Sequence, residues 1–461
     1  MDEMTIRVPR GDRNLDKLFS TARWDERPLP DFRDGRHIYL GRDEAGRDVG
    51  YMDDRHMFLC AGTRAGKGTT CILPALLSYA GSCLVIDPKG ENARITAAWR
   101  ERQGQAVHVL DPYGLVADAW PSATYNPLSI LEPDDPLLAD KARLIADALV
   151  IPSSERERHW DDAARDFLTG VLVHVVTGPH APRDLVRVQA AVQLAEEGLE
   201  AEMRESAWPL VRAAASAYYE KEERERKSVL STVRNQLAFL GSPPMQAVLR
   251  DGPLSLDALK ARPTTIYLCM PPLWFEANKR WFRLFVNLAL LALGGALAAR
   301  EDLPVLMILD EFPTLGTMPT VESAVGLMAG YGVKIWTIVQ DINQLRSLYR
   351  DRWQSFIGNS GLVQFFGNVD RDTCEYVSKL CGEVSHQTET VTETWSQSRK
   401  GEAGGSRQTA MTTVPLLRPD EVSFWFSARK GVQIVKIPER QPAKLQRIPF
   451  HEHPLFRRRS A

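Results

Sequence analysis

Residues 61–69 read Ala-Gly-Thr-Arg-Ala-Gly-Lys-Gly-Thr, set between the apolar run Met57-Phe58-Leu59-Cys60 and the helical pattern TTCILPALLSYA. A glycine-rich turn between a buried strand and a helix is what a phosphate-binding loop requires. Glycines let backbone N–H groups turn inward, the helix N-terminus adds partial positive charge, and a lysine bridges the β- and γ-phosphates. The match to GxxxxGK[ST] is imperfect, because Ala61 stands where the first glycine is expected and Gly68 where a hydroxyl is expected. The candidate nucleotide contacts are therefore Gly62, Thr63, Arg64, Ala65, Gly66, Lys67, Gly68, Thr69 and Thr70. The metal-liganding hydroxyl then comes from Thr69, assigned here as metal ligand, or from Thr70, unless water replaces it. Taken alone, the motif also fits a glycine-rich turn with a surface lysine.

The surrounding pattern decides between these readings. Short apolar runs ending in glycine or acidic residues (CLVIDPKGE, AVHVLDPYG) alternate with helical stretches such as NARITAAWRERQG, which predicts βαβ units and a mostly parallel sheet. Leu306-Met307-Ile308-Leu309 leads into Asp310-Glu311, a buried strand delivering two carboxylates to its C-terminal end, where ligands sit in open α/β sheets. Asp310 is the candidate Mg²⁺ ligand and Glu311 the group that orients or deprotonates water. Gln340 ends a further strand, VKIWTIVQD, and would sense the γ-phosphate or position water. Lys67, Glu311 and Gln340 are the catalytic candidates.

From about Asp134 to Leu259 the strand signal gives way to charged, Ala/Leu-rich helical stretches, an all-helical insertion in the α/β domain. The run EKEERERK (220–227) mixes signs at helical spacing, as a solvated face with i,i+4 pairs does. Residues 284–299 (LFVNLALLALGGALAA) fall short of the roughly 20 apolar residues a spanning helix needs and read as a core helix. The predicted organisation is an arm (1–37), a first nucleotide-binding part (38–152), the all-α insertion (153–258) and a second part (259–461). That second part carries a polar excursion (385–413), expected to be exposed and partly disordered, then edge strands in KGVQIVKIPERQPAKLQRIPF and a basic tail. With 57 Lys and Arg against 59 Asp and Glu, net −2, any DNA-binding charge must be concentrated locally. Six cysteines without metal-ligand spacing point to a reduced, cytoplasmic protein.

Eight segments, in order, resemble the TraG-like coupling proteins of type IV secretion and conjugation: GTRAGKG (62–68), VIDPKGEN (85–92), YNPLSI (125–130), LDEFPTLGTM (309–318), MAGYGVKIWTIVQDINQL (328–345), GNSG (358–361), FFGNVDRDTCEYVSKLCG (365–382) and LLRPDEV (416–422). The resemblance runs from about Ile38 to Val422, and lysine followed by glycine in the loop is common in that family. It implies a RecA-like P-loop ATPase with an inserted all-α domain, using ATP and Mg²⁺ and typically assembling as a homo-hexamer. Such a ring binds DNA, here single-stranded and without sequence preference, in a central channel, and links a relaxase or secreted effector to the secretion ATPases and channel. By motif, Lys67 is the P-loop lysine, Asp310 and Glu311 the Walker B pair, and Gln340 the third-motif glutamine, while Asp87 and Lys89 belong to a segment without an assigned role. Arg371 is a candidate for the arginine that ring ATPases supply in trans. Arg94, Arg100, Lys334 and Arg346 are candidates for phosphate contacts or ordinary surface charges. Trp274, Phe275, Trp281 and Phe282 form either a stacking platform or, more simply, packing and a subunit contact. Family members usually carry transmembrane helices ahead of the loop. None is legible here, so the expected location is the cytoplasmic face of the bacterial inner membrane, held by a separate anchor component, unless an anchoring segment was removed.

Overall fold

The computed structural model describes residues 22–152, 158–179, 181–295, 297, 303–394 and 404–460. Its strands are β1 (Ile38–Arg42), β2 (Asp48–Tyr51), β3 (His56–Ala61), β4 (Cys83–Asp87), β5 (Ala106–Leu110), β6 (Thr264–Cys269), β7 (Val305–Leu309), β8 (Val333–Val339), β9 (Ser360–Phe366), β10 (Glu383–Thr394), β11 (Gly404–Pro415), β12 (Val432–Lys436) and β13 (Ala443–Gln446). Among the described residues, eleven of these form one sheet in the order β2-β1-β13-β12-β9-β3-β8-β7-β4-β6-β5. From β9 to β5 every pairing is parallel, and from β9 outward through β12, β13, β1 and β2 every pairing is antiparallel.

The parallel strands are apolar almost throughout because both faces of the sheet are covered. Alternation assigns the faces: Phe58, Cys60, Leu84, Ile86, Met307, Leu309, Ile335 and Val339 pack with the helical insertion and the helix Pro272–Leu293. Met57, Leu59, Ala61, Cys83, Val85, Leu306, Ile308, Trp336 and Ile338 pack on the other side with Ile72, Ala75, Leu76, Ala93 and Ala97, from the helices after β3 and β4. The expected buried helix within 284–299 is the C-terminal part of Pro272–Leu293; Ala296 and residues 298–299 lie outside the described residues. Among the described residues no helix is long and apolar enough to cross a membrane.

Between β5 and β6 the chain contains no strand among the described residues and runs through helices from Leu138–Leu149 to Ala258–Ala261. The run at 220–227 forms the i,i+4 pairs Lys221–Glu225 and Glu223–Lys227. All six cysteines are buried and unpaired.

Two expectations change. The polar excursion is a regular hairpin: β10 and β11 pair antiparallel from Glu383↔Pro415 to Thr394↔Gly404, with residues 395–403 outside the described residues. The segment is poor in aliphatics, but its alternating threonines are β-branched, and the partner strand satisfies the backbone that solvent would otherwise have to. The C-terminal strands are not edges either. β12 lies between β9 and β13, and β13 is covered by β1, so the sheet ends at β2 and β5.

Candidate functional site

β3, buried along its whole length, delivers the chain to the loop at the carboxyl end of the parallel strands. Gly62 has no room for a side chain, since a Cβ there would stand 2.1 Å from the Gly367 carbonyl oxygen at the end of β9. Gly66 takes φ +91°, a region that glycine occupies without cost. Its carbonyl accepts from the Thr70 N–H (2.9 Å), the Thr70 hydroxyl (2.8 Å) and the Thr69 hydroxyl (3.2 Å), which closes the loop onto the helix. Thr70 is buried and Thr69 half-buried, so Thr69 is the more accessible of the two hydroxyls. The helix opens with a wide turn in which the Leu73 N–H reaches the Gly68 carbonyl. Pro74 accounts for it: it has no N–H for the Thr70 carbonyl, and its ring needs the space a wider turn provides.

The strand order β3-β8-β7 places the three strand ends that carry the candidate residues side by side. Lys67 Nζ donates to Asp310 Oδ1 at 2.9 Å and also pairs with Glu311. Gln340, on the strand between them, donates from Nε2 to Glu311 Oε2 at 2.8 Å and accepts the Thr63 hydroxyl at Oε1, 2.7 Å away. Lys67, Asp310, Glu311, Gln340 and Thr63 thus form one connected network. Glu311 adopts φ +54°, a strained conformation for a side-chain-bearing residue, and its N–H is held by Asp310 Oδ1 at 3.0 Å. Burial alone would lower the Lys67 pKa, but the Asp310 and Glu311 carboxylates outweigh it and raise it. Burial raises the Asp310 pKa, with Lys67 opposing and Glu311 adding to the rise.

Asp87, at the end of β4 beside β7, is buried and accepts the Ala93 N–H at 2.9 Å, so it caps the following helix; burial pushes its carboxyl up to about 6. Lys89 is exposed. Of the candidate phosphate contacts, Arg100 and Lys334 are corrected to structural cations. Arg100 is 1% exposed and donates to the Leu76, Tyr79 and Gly81 carbonyls and to Thr265. Lys334 is 3% exposed, bonded to the Asp53 and Arg55 carbonyls, and lies over the Tyr51 ring. Arg94 is exposed but paired with Asp118, and Arg346 lies over the Trp353 ring. Phe275, Trp281 and Phe282 are buried and serve packing, whereas Trp274 is exposed and stacks on Tyr113. Arg371 is exposed at the start of the helix Arg371–Cys381 and pairs with Glu375 at 2.6 Å.

Two neighbours of the site, one inside a quoted motif and one outside all of them, are not singled out by the sequence. Asn368, after β9, donates from Nδ2 to the Gln340 carbonyl at 3.3 Å, and Arg447, after β13, donates to the Ala65 carbonyl in the loop at 2.6 Å.

A family model described as type IV secretory system conjugative DNA transfer matches residues 20–461. The chain belongs to this family. Among curated relatives, it is 27% identical over 420 residues to VirD4 of Rhizobium radiobacter, covering 87% of this chain and 58% of that protein. It is 27% identical over 454 residues to the conjugal transfer protein TraG of Escherichia coli, covering 88% of this chain and 71% of the relative. The chain thus spans little more than half the length of VirD4. Among solved structures, the bacterial conjugative coupling protein TrwBdeltaN70 in its unbound form superposes with a TM-score of 0.68 at 14% identity, covering 93% of both chains. TrwB in complex with ADP and Mg²⁺ gives 0.65 at 14% identity, covering 92% of this chain and 95% of that one. The RecA-like α/β fold expected for the TraG-like family is therefore the fold of this member.

Proposed function

We propose that this coupling-family protein is a Mg²⁺-dependent ATPase that recruits or moves relaxase-linked single-stranded DNA, or protein substrates, to a type IV secretion channel. The observation that carries the reading is the network joining Lys67 to Asp310, Glu311 and Gln340 at the carboxyl end of one parallel sheet. The site's donors suit a hard cation, with the Asp310 carboxylate and the Thr69 hydroxyl both oxygen ligands. Bound Mg²⁺ would neutralise charge on the phosphate oxygens. The loop Gly62–Thr70 binds the phosphates and Lys67 bridges two of them, leaving its carboxylate partners to the metal and to water. Glu311 accepts a proton from the attacking water at a carboxylate oxygen, and Gln340 fixes that carboxylate from Nε2. Arg371, on an exposed helix start, is the proposed trans-acting arginine of a homo-hexamer. Its proposed place of action is the cytoplasmic face of the inner membrane, beside the secretion ATPases.

The test is the ATPase rate of the chain against protein concentration, with and without single-stranded DNA. Cooperative, DNA-stimulated turnover that Lys67→Ala abolishes is expected. A protein that binds ATP but never turns it over under any of these conditions, with Lys67→Ala still supporting transfer, refutes the motor.

A second reading is a nucleotide-switched substrate receptor built on the all-α insertion (153–258). It is favoured by a cavity of about 590 Å³ between its helices, lined by His174, Arg187, Leu194, Glu202 and Trp208 among others. Deletion of residues 153–255 distinguishes the two, because retained substrate capture in a pull-down removes the receptor reading.

A further inference from the structure

Arg447 follows β13 in an unremarkable stretch, Leu445-Gln446-Arg447-Ile448, yet its side chain ends against the phosphate-binding loop. The residue is 5% exposed. Nη1 donates to the Ala65 carbonyl at 2.6 Å and Nη2 to the Ala428 carbonyl at 3.1 Å. The guanidinium carbon stands 4.0 Å from the centroid of the Phe366 ring, and a Cβ on Gly66 would lie 3.4 Å from Nη1. Farther along the same segment, the Phe450 N–H donates to the Thr69 carbonyl at 2.8 Å. The C-terminal segment therefore holds the loop both before and after Lys67. Because the C=O and the following N–H of a trans peptide point in opposite directions, anchoring the Ala65 carbonyl turns the Gly66 N–H away from Arg447.

The charges are distributed unevenly. Lys67 faces two carboxylates, so the loop lysine and its partners together carry more negative than positive charge. Arg447 forms no ion pair among the described residues: its partners are two carbonyls and a ring face, and its Nε is buried without a partner. Burial also lowers its pKa, as for a cation short of compensating charge. A buried cation without an anion is costly, and an anion at the adjacent loop offsets that cost.

We infer that Arg447 is a second cation of the phosphate site, a positioning residue that fixes the Ala65–Gly66 peptide and adds its positive potential to that of Lys67. This rests on the nucleotide reading of the site, which it deepens by tying the C-terminal segment to phosphate binding.

The test measures binding of a fluorescent ADP analogue with Mg²⁺ to the full chain, and its displacement by inorganic pyrophosphate, across a salt series. Arg447→Met is expected to weaken both ligands about tenfold or more and to flatten the salt dependence, as removal of a nearby unit charge does. Arg447→Lys, which keeps the charge but reaches only one of the two carbonyls, should fall between it and the wild type. A folded Arg447→Met with wild-type affinity and salt slope overturns the inference. If that variant does not fold, Arg447→Gln carries the same test. If neither folds, Arg447→Lys decides: wild-type affinity in it overturns the fixing of the Ala65–Gly66 peptide, and a flattened salt slope despite the retained charge overturns the role of charge. Lys67→Ala separates the two levels. Wild-type affinity in that variant removes the nucleotide reading itself, whereas loss there with retention in the neutral Arg447 variants removes only the role given to Arg447.

Discussion

Replacing Lys67 with alanine should destabilise the fold in a pH-dependent way, apart from any effect on turnover. The ammonium stands between Asp310 and Glu311, with the three side chains only 18%, 13% and 23% exposed. Removing one partner of a fully buried pair costs about 3–5 kcal/mol, and the residual exposure here reduces that to roughly 2–3 kcal/mol. The sign with pH follows from Asp310. Burial already raises its pKa with Lys67 opposing, so loss of Lys67 raises it further. A carboxyl whose folded pKa lies above its unfolded value is a liability where it is ionised, and the liability fades as pH falls through the folded pKa toward the ordinary carboxylate range. The wild-type lysine contribution, with its raised pKa, is lost only above the ordinary lysine range, outside the assay window. Thermal unfolding should therefore show a deficit of roughly 2–4 °C in Lys67→Ala at about pH 8, shrinking toward about pH 5. Adding Asp310→Asn to Lys67→Ala should restore part of the loss, because it removes the charge left without a partner. A deficit that is flat across this range, or no deficit at pH 8, would show that the three groups are not electrostatically coupled and would refute the reasoning.

Glu311→Gln should keep nucleotide affinity, since it removes a negative charge beside the phosphates, while lowering kcat by about 10²-fold or more; steady-state turnover and equilibrium binding together check it. Gly62→Ala should destabilise the protein by about 1–3 kcal/mol or prevent folding, because the new methyl meets the Gly367 carbonyl, and unfolding midpoints read this directly. Arg100→Met should cost about 3 kcal/mol in thermal or denaturant unfolding, since it strips donors from several buried carbonyls, yet leave DNA affinity per folded molecule unchanged in a filter-binding or anisotropy assay. Weakened DNA binding at constant folded fraction would return Arg100 to the DNA-contacting set.

Local chemistry was readable from the chain itself. The loop Gly62–Thr70, the strand ending in Asp310-Glu311 and the strand ending at Gln340 are each a short contiguous segment, so apolar runs, glycines and acidic ends mark them without knowledge of the fold. The long block without strand signal between β5 and β6 was visible for the same reason, since helical periodicity is a local property. The hairpin of β10 and β11 is hard to see in the sequence because its segment is poor in aliphatics, whereas backbone pairing of β-branched threonines needs only a partner strand.

Burial of charge was not readable. Arg100, Lys334 and Arg447 look like any other cation in the sequence, and only packing decided that the first two support strand and helix ends and that the third lies against the loop. Strand order was equally hidden. That β8 lies between β3 and β7, bringing Gln340 between Thr63 and Glu311, follows from crossover connections between strands far apart in sequence. The sequence by itself determined which groups are candidates for the chemistry and that they sit at strand ends. The tertiary structure alone decided which of those ends are neighbours and which charges lose their water, because both depend on contacts between separate elements, from about twenty residues apart for Arg100 to 382 for Arg447.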